Sequence, residues 1–185
     1  ANHSSGDATA NGSDYQAHGF YSDDHGKTFK VSESIKIPGS NESIAAELPG
    51  DRMIMSVRNQ KGDIKQRILA FSEDGGETWA EQYFEENLPD PVCQGSIISF
   101  PSSNGKVILA HSNNANINQR NDLTVKFSKD EGKTWGGPIE IDRKDIQGNT
   151  SWTAYSDLVW LGSKNLGILY ERNNYQEIVF KTIFF

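Results

Sequence analysis

Short runs of residues that alternate between apolar and polar, or that are wholly apolar, occur along most of the chain. Each run has the length of a β-strand, and most are bounded by Gly, Pro, Asn, Asp or Ser. No stretch with helical periodicity extends beyond a turn or two. The pattern therefore predicts an all-β chain of short antiparallel strands. The predicted strands lie at residues 14–22, 43–48, 52–57, 66–72, 95–100, 106–111, 123–128, 155–161, 166–172 and 177–185.

One octet occurs three times, with the pattern S-x-D-x-G-x-T followed by Trp or Phe. The copies are SDDHGKTF at residues 22–29, SEDGGETW at 72–79 and SKDEGKTW at 128–135, so their first serines lie 50 and 56 residues apart. Repeats of about this length are typical of β-propeller blades rather than of helical repeats. Because each octet follows a predicted strand, we expect the three octets at hairpin turns on the perimeter of successive blades.

The octet itself has the composition of a tight turn. In each copy we expect the aspartate to accept hydrogen bonds from backbone N–H groups two residues on, and the glycine to supply a positive φ. The aromatic residue is expected to fold back and bury the turn. These residues are Asp24, Asp74 and Asp130, Gly26, Gly76 and Gly132, and Phe29, Trp79 and Trp135.

Metal binding is not indicated by the sequence. The acidic octets suggest calcium, but they do not match the calcium-loop pattern that ends with a distal glutamate. The four histidines, His3, His18, His25 and His111, show no metal-ligand spacing. We therefore expect neither a metal nor a cofactor. The single cysteine, Cys93, is interpreted as a buried structural thiol rather than a reactive one.

The octet resembles the Asp box of sialidases and of related six-bladed β-propellers. Propellers with other activities also carry the box, so this likeness implies an architecture and not an activity. At roughly 53 residues per blade, 185 residues supply about 3.5 blades. The resemblance thus implies that residues 1–185 are the C-terminal part of a single six-bladed sialidase propeller. The partner of this chain is then the N-terminal half of the same propeller, because half a propeller would leave open sheet edges.

Ionisable residues stand at the ends of several predicted strands. Propeller sites form where the inner strands converge, so these positions are candidates for a shared site. Glu42 opens one strand and Arg58 closes the next, and the hairpin between them brings both to one end of a blade. Arg120, Tyr155 and Glu171 hold comparable positions in later blades. Taken singly, each also fits a structural role, as a surface ion pair or a core tyrosine.

Four segments extend the resemblance to the sialidase active site. ESIAAELPGDRMIMSVRNQ resembles the family segment in which a catalytic glutamate, here Glu42, precedes an arginine of the carboxylate-binding triad, here Arg58, by 16 residues. QRNDLTVKFS resembles the segment of another triad arginine, here Arg120. AYSDLVWL and LGILYE resemble the nucleophile region, which makes Tyr155 the nucleophile and Glu171 the acid that steadies the remaining arginine.

Two family residues have no counterpart here. The remaining triad arginine and the catalytic aspartate belong to the N-terminal half of the family's domain, and no segment of this sequence matches them. The resemblance therefore implies that this chain alone is inactive.

The chemistry of sialic acid accounts for these residue types. Its anomeric carbon bears a carboxylate, which planar guanidinium groups bind through two parallel hydrogen bonds. A carboxylate nucleophile would be repelled by that charge, whereas a tyrosine is neutral until a base removes its proton. Sialidases are the established tyrosine exception among glycosidases. The implied activity is that of a retaining exo-α-sialidase acting on terminal sialic acids of glycoconjugates, with Glu42 as the base.

Two questions stay open at this point. Gln94 and Asn113 stand at strand ends, where they either contact the glycan or cap the strands. The whole domain, in turn, is either the sialidase described above or a non-catalytic Asp-box propeller that binds glycans or proteins. The pair of Glu42 and Tyr155 favours the enzyme, because a binding module needs arginines for sialic acid but has no use for a nucleophile and its base.

Charge and hydropathy exclude some partners. The net charge is −7 and no basic run is present, so a nucleic-acid partner is not expected. No apolar stretch reaches the ~18 residues of a membrane span. A glycosylation sequon at Asn41 adjoins Glu42, where a glycan would obstruct the candidate site. This favours a bacterial protein, secreted or periplasmic, over a lysosomal one.

Overall fold

The computed structural model describes residues 2–3, 14–102, 104–142 and 152–185. Within these ranges the chain consists of strands and turns and contains no helix, which confirms the all-β prediction. The strands are β1 (Asn2–His3), β2 (Gln16–Tyr21), β3 (Lys30–Ser34), β4 (Ser40–Glu47), β5 (Met53–Asn59), β6 (Gln66–Ser72), β7 (Glu81–Pro89), β8 (Ser96–Pro101), β9 (Val107–Asn114), β10 (Leu123–Ser128), β11 (Gly136–Glu140), β12 (Thr153–Gly162), β13 (Asn165–Arg172) and β14 (Glu177–Phe184).

The strands form four antiparallel sheets in which neighbours in sequence are neighbours in space. Blade 1 has the order β1-β2-β3, blade 2 β4-β5-β6-β7, blade 3 β8-β9-β10-β11 and blade 4 β12-β13-β14. The first strands of blades 2, 3 and 4 contact one another in succession, β4 with β8 and β8 with β12. They are the inner strands of the blades, and the arrangement is that of a partial propeller, as predicted.

Apolar side chains fill the spaces between successive blades. One cluster between blades 1 and 2 includes Ile35 and Ile68, and a second between blades 2 and 3 includes Leu69 and Leu109. Because β6 is covered on both faces, its adjacent residues Ile68 and Leu69 are both fully buried and point to different clusters. A third cluster, which includes Leu158, joins blades 3 and 4. Each fully buried residue of this type contributes about 1.5–3 kcal/mol.

The octets form hairpin turns between the last two strands of blades 1, 2 and 3. In the first copy, the Asp24 carboxylate accepts hydrogen bonds from the backbone N–H groups of Lys27 and Thr28 at 3.0 and 2.8 Å, and from the Thr28 hydroxyl at 2.6 Å. Ser22 Oγ accepts the Gly26 N–H at 2.7 Å. The expectation of bonds two residues on was therefore wrong: the turn is wider, and the aspartate reaches residues three and four positions on.

The other two octets repeat this geometry, so the conserved positions of the repeat make the same hydrogen bonds in each copy. The threonine bonds its aspartate through both N–H and hydroxyl, and the serine binds the glycine N–H. The positive φ predicted for the glycines is confirmed at 82°, 92° and 92° for Gly26, Gly76 and Gly132. These hydrogen bonds, first those from the threonine, lower the pKa of Asp24 and of Asp74 to about 2.

The aromatic residues of the octets differ in burial. Trp79 is 2% exposed within the cluster between blades 1 and 2, and Trp135 is 7% exposed between blades 2 and 3, as predicted. Phe29 is 62% exposed and its turn glycine, Gly26, is exposed as well, so the prediction that the aromatic residue buries the turn was wrong for the first octet. Each tryptophan inserts between its own blade and the preceding one, and the described residues place no blade before the first. Phe29 instead packs against Phe20, with ring centroids 5.9 Å apart.

The sequence pattern did not predict the strands that follow the octets, β3, β7 and β11. All three lie at the outer edge of their blades. An edge strand covers little apolar surface and often carries charged residues, Pro or Gly, so it lacks the alternation that identifies a half-buried strand. In β11, GGPIE, only Ile139 is not exposed.

The octets and the candidate site occupy opposite ends of the blades. Met53, at the start of β5, pairs with Ser72, the first residue of the second octet, whereas Arg58 lies five residues further along β5. Arg120 precedes β10, and the third octet begins at Ser128, where β10 ends. At about 3.3 Å per strand residue, both separations are on the order of 17 Å or more. The predicted separation of octets from the two arginines is confirmed.

Candidate active site

Three predicted site residues from two blades meet in one cluster. Tyr155 of β12 donates its phenolic hydrogen to Glu42 Oε1, and Arg58 Nη1 donates to Glu42 Oε2 at 2.6 Å. The same Nη1 lies 3.2 Å from the Tyr155 hydroxyl oxygen. Blade 3 stands between the two blades that supply these residues. The cluster therefore links blades 2 and 4 at their inner strands, near the axis of the propeller.

Two β-bulges position the cluster. The pairing of β4 with β5 shifts register between Ser40 and Ser43, which brackets Glu42. The pairing of β12 with β13 shifts between Thr153 and Ser156, which brackets Tyr155. A bulge adds a residue to one strand and turns its side chain away from the regular alternation. In both strands the bulge lies at the residue with candidate chemistry, so the local backbone aims Glu42 and Tyr155 at each other.

The Tyr155 phenol is strongly held in its neutral form. Burial, followed by the hydrogen bond and negative charge of Glu42, raises the pKa of Tyr155 to about 12, while Arg58 acts in the opposite direction. At neutral pH the tyrosine is therefore protonated and donates to the Glu42 carboxylate. Such a pair can pass a proton from phenol to carboxylate when an electrophile approaches the oxygen.

Arg58 has donors left over beside this pair. Its side chain is 10% exposed, against 32% for Glu42. Its Nε is buried and has no hydrogen-bond partner among the described residues. A buried polar group of this kind usually finds an acceptor, so the free Nε is consistent with an acceptor brought by a ligand.

Arg120 lies on the same side of the fold and is held by two acceptors. Nη1 donates to the Tyr175 hydroxyl at 2.8 Å and Nη2 to the Val92 carbonyl at 2.9 Å. Arg120 and Arg58 both lie near the Cys93 thiol. Burial raises the pKa of this thiol, and the two arginine charges partly offset that rise. Cys93 is 2% exposed, which confirms the prediction of a buried thiol. That the two arginines bind one carboxylate stays a prediction.

Glu171 contacts the nucleophile candidate rather than an arginine. Its Oε2 accepts the backbone N–H of Tyr155 at 3.1 Å. Tyr155 lies at the register shift of the β12–β13 pairing, and the Glu171 carboxylate binds its N–H at that irregular point of the strand. Glu171 thus fixes the main chain of Tyr155. The arginine that the resemblance assigns to it has no match in this sequence, so that role stays a prediction.

Gln94 and Asn113 are engaged with main-chain groups. Gln94 donates to the Ser156 carbonyl at 3.1 Å and accepts the Ser156 N–H at 2.9 Å, so it ties the start of blade 3 to β12. Asn113 is 3% exposed, and its amide donates to the carbonyls of Pro89 and Asn114. These bonds match the capping interpretation. A contact of either residue with substrate stays a prediction.

A buried polar network beneath the cluster was missed by the sequence reasoning. Arg67 is fully buried and bonds Ser56 Oγ at 3.2 Å and Asp90 Oδ2 at 3.3 Å. Ser56 Oγ also lies 2.8 Å from Nε2 of His111, which is fully buried. Burial and then the nearby arginine charge lower the pKa of His111 well below its ordinary value, so it is neutral at physiological pH. The available signal was a charged residue inside the apolar run QRILAFS, which implies a buried partner.

The described residues contain no group of His, Cys, Asp and Glu arranged to hold a metal ion. In the same ranges, no helix has the length and apolarity needed to cross a membrane.

The fold and site together define a β-propeller of the Asp-box type with a Tyr–Glu–Arg cluster at the inner end of its blades. The model of the BNR repeat-like domain family matches residues 4–168 of this chain. The chain belongs to that family, and it is a member of the bacterial sialidase type, as the resemblance predicted.

Relatives of known name agree with this assignment. The chain is 34% identical to a sialidase of Micromonospora viridifaciens over 163 residues, covering 85% of this chain and 24% of the relative. It is 31% identical to a sialidase of Bacteroides fragilis, covering 82% and 27%. The structure of a Hadza microbial sialidase superposes with a TM-score of 0.77 at 30% identity, covering 91% of this chain and 32% of that one. The chain thus spans about a quarter of the length of these curated relatives.

Proposed function

We propose that this chain is part of a retaining exo-α-sialidase, with Tyr155 as the nucleophile and Glu42 as its base. The observation that carries the proposal is the Tyr155 hydroxyl, which donates to Glu42 and lies 3.2 Å from Arg58 Nη1. A phenol is a poor nucleophile unless a base accepts its proton, and here the carboxylate is already in contact with it. The names of the relatives support sialylated glycans as the substrate class.

In the proposed first step, the Tyr155 oxygen attacks the anomeric carbon of sialic acid. A C–O bond to tyrosine forms, the glycosidic C–O bond breaks, and the phenolic proton passes to Glu42. The leaving oxygen takes its proton from an acid, which the resemblance assigns to an aspartate of the N-terminal half. Water then attacks the anomeric carbon and breaks the glycosyl–tyrosine bond. The water loses a proton to the aspartate that acted as the acid, and Tyr155 recovers its proton from Glu42. Two displacements at one carbon retain its configuration.

Arg58 and Arg120 are assigned to the substrate carboxylate. Arg58 Nη1 is close enough to stabilise negative charge that develops on the Tyr155 oxygen, and its buried Nε has no partner within the described residues. Each guanidinium carries five N–H donors, so the contacts seen in this chain leave donors for a ligand. We further propose that the remaining blades supply the third arginine and the acid, so that only the complete protein is active.

The test is turnover of a sialoside by the complete protein, with the first-formed anomer identified by proton NMR. The proposal predicts release of the α-anomer, and loss of turnover in Tyr155→Phe with the fold retained. A non-catalytic Asp-box module would bind the sialoside without cleaving it, and Tyr155→Phe would not alter its binding. Release of the β-anomer first would contradict the retaining mechanism.

A further inference from the structure

The two residues that hold the Arg120 guanidinium both have left-handed backbone conformations. Val92 has φ 61° and Tyr175 has φ 65°. Left-handed φ is uncommon for residues other than Gly, and for a β-branched residue such as Val it is a genuine outlier. Strained residues of this kind persist only when their surroundings enforce them, and they cluster at functional sites. Both strained residues present an oxygen atom to the same side chain.

Val92 is held in place through the peptide group that follows it. The Val92 carbonyl and the Cys93 N–H belong to one peptide unit, and the described chain has no cis peptide bonds. The Cys93 N–H donates to Asp90 Oδ1 at 2.9 Å. In a trans peptide the C=O and N–H bonds point in opposite directions, so the Val92 carbonyl is directed away from Asp90 and towards Arg120. Arg67 Nη1 fixes the next peptide by donating to the Cys93 carbonyl at 2.6 Å. Arg67 and Asp90 have fully buried side chains and form an ion pair, so this support is rigid.

Tyr175 is presented by a turn between β13 and β14. Asn173, Asn174 and Tyr175 have successive φ values of 51°, 50° and 65°. Asparagine tolerates this conformation better than tyrosine does. The Tyr175 ring meets Trp152 edge-on, with centroids 4.2 Å apart, yet the residue is 55% exposed. Burial therefore does not account for a tyrosine in this conformation, and the contact that its hydroxyl makes is the hydrogen bond from Arg120.

We propose that Val92 and Tyr175 are positioning residues that hold the Arg120 guanidinium plane in the orientation needed to bind a carboxylate. This inference rests on the proposed function, in which Arg120 binds the sialic acid carboxylate. A long arginine side chain loses conformational freedom when a ligand fixes it, and holding it beforehand lowers that cost. The two acceptors occupy one hydrogen of each Nη atom, which leaves three of the five donors.

The experiment measures sialoside kinetics of the complete protein carrying Tyr175→Phe, which removes the hydroxyl but keeps the ring against Trp152. We expect KM to rise about threefold to tenfold, the effect of one lost hydrogen bond, with kcat changed less than twofold. Val92→Gly should act in the same direction, since Gly accepts this φ without strain and frees the peptide to rotate. The matched control is Lys164→Gly. Lys164 has a left-handed φ of 64° in the hairpin between β12 and β13, so this substitution removes the same kind of strain away from Arg120 and should leave KM unchanged.

A second background separates positioning from a general structural effect. In Arg120→Lys, the point charge has no plane to orient, so adding Tyr175→Phe should not lower kcat/KM further. The inference is overturned if neither Tyr175→Phe nor Val92→Gly raises KM, or if Tyr175→Phe lowers kcat/KM equally in both backgrounds. A complete protein that cleaves no sialoside would overturn the proposed function and this inference with it. Normal wild-type turnover with unaffected variants would overturn the inference alone.

Discussion

Replacing Glu42 by glutamine tests the link between the site's electrostatics and its chemistry. The substitution removes the carboxylate that accepts the Tyr155 proton but keeps a side chain of the same size beside Arg58. Two results should follow together in the complete protein. Turnover should fall because no base remains in contact with the phenol, and the pKa of Tyr155 should fall because a negative charge is removed while Arg58 stays in place.

The sizes of both effects follow from the structure. A general base contributes about 10²- to 10⁴-fold to a rate, so turnover should fall within that range. The pKa of Tyr155 is raised from its ordinary 10.0 to about 12, which corresponds to at most about 2.7 kcal/mol against ionisation. Because the phenol is partly exposed, solvent screening reduces that value. Burial is the largest cause of the rise and remains in the variant, where it opposes the lowering effect of Arg58.

Sialoside turnover measures the first effect, and tyrosinate absorbance against pH, compared with Tyr155→Phe, measures the second. The control is Glu47→Gln, which removes an exposed carboxylate from the other end of the same strand, β4, and should change neither quantity. Unchanged turnover in Glu42→Gln would refute the assignment of the base. A Tyr155 pKa that rises in this variant would refute the electrostatic reasoning.

Three further predictions concern the arginines, the tyrosine backbone and the interblade core. Arg58→Lys and Arg120→Lys should each raise KM in sialoside kinetics, because a point charge does not replace a planar fork; unchanged kinetics in both would remove the arginines from the site. Glu171→Ala should reduce kcat and Glu171→Gln should restore part of it, because the glutamine oxygen still accepts the Tyr155 N–H; equal activity in the two variants would argue against this contact. Trp79→Ala should lower the free energy of unfolding by about 3–5 kcal/mol in urea titrations, whereas Phe29→Ala, at a 62% exposed position, should cost far less; similar losses would contradict the burial difference.

The sequence predicted the repeated part of the fold well, because the octet has a strict local meaning. Ser, Asp, Gly and Thr each make a defined bond or turn, so the three hairpins and the strands that lead into them, β2, β6 and β10, could be located. The outer strands β3, β7 and β11 could not be located, because edge strands lack the alternation of apolar and polar residues that identifies a half-buried strand. The prediction that Phe29 buries its turn was wrong because such burial depends on a neighbouring blade, which a local sequence pattern does not describe.

The candidate site divides in a similar way. Glu42, Arg58 and Tyr155 were identified from their segments, and the structure brings them together. The bulges that aim Glu42 and Tyr155 left no trace in composition, since they arise from the pairing of two strands. The contacts of Gln94 with Ser156 join positions 62 residues apart, a distance over which periodicity gives no information.

The proposed mechanism requires a covalent bond between Tyr155 and the substrate. A fluorinated sialic acid analogue slows hydrolysis of a glycosyl–enzyme intermediate, so the complete protein can be incubated with it and the adduct located by peptide mass spectrometry. We expect one adduct, on Tyr155, and none in the Tyr155→Phe variant. An adduct on any other residue, or full turnover by the variant, would contradict it.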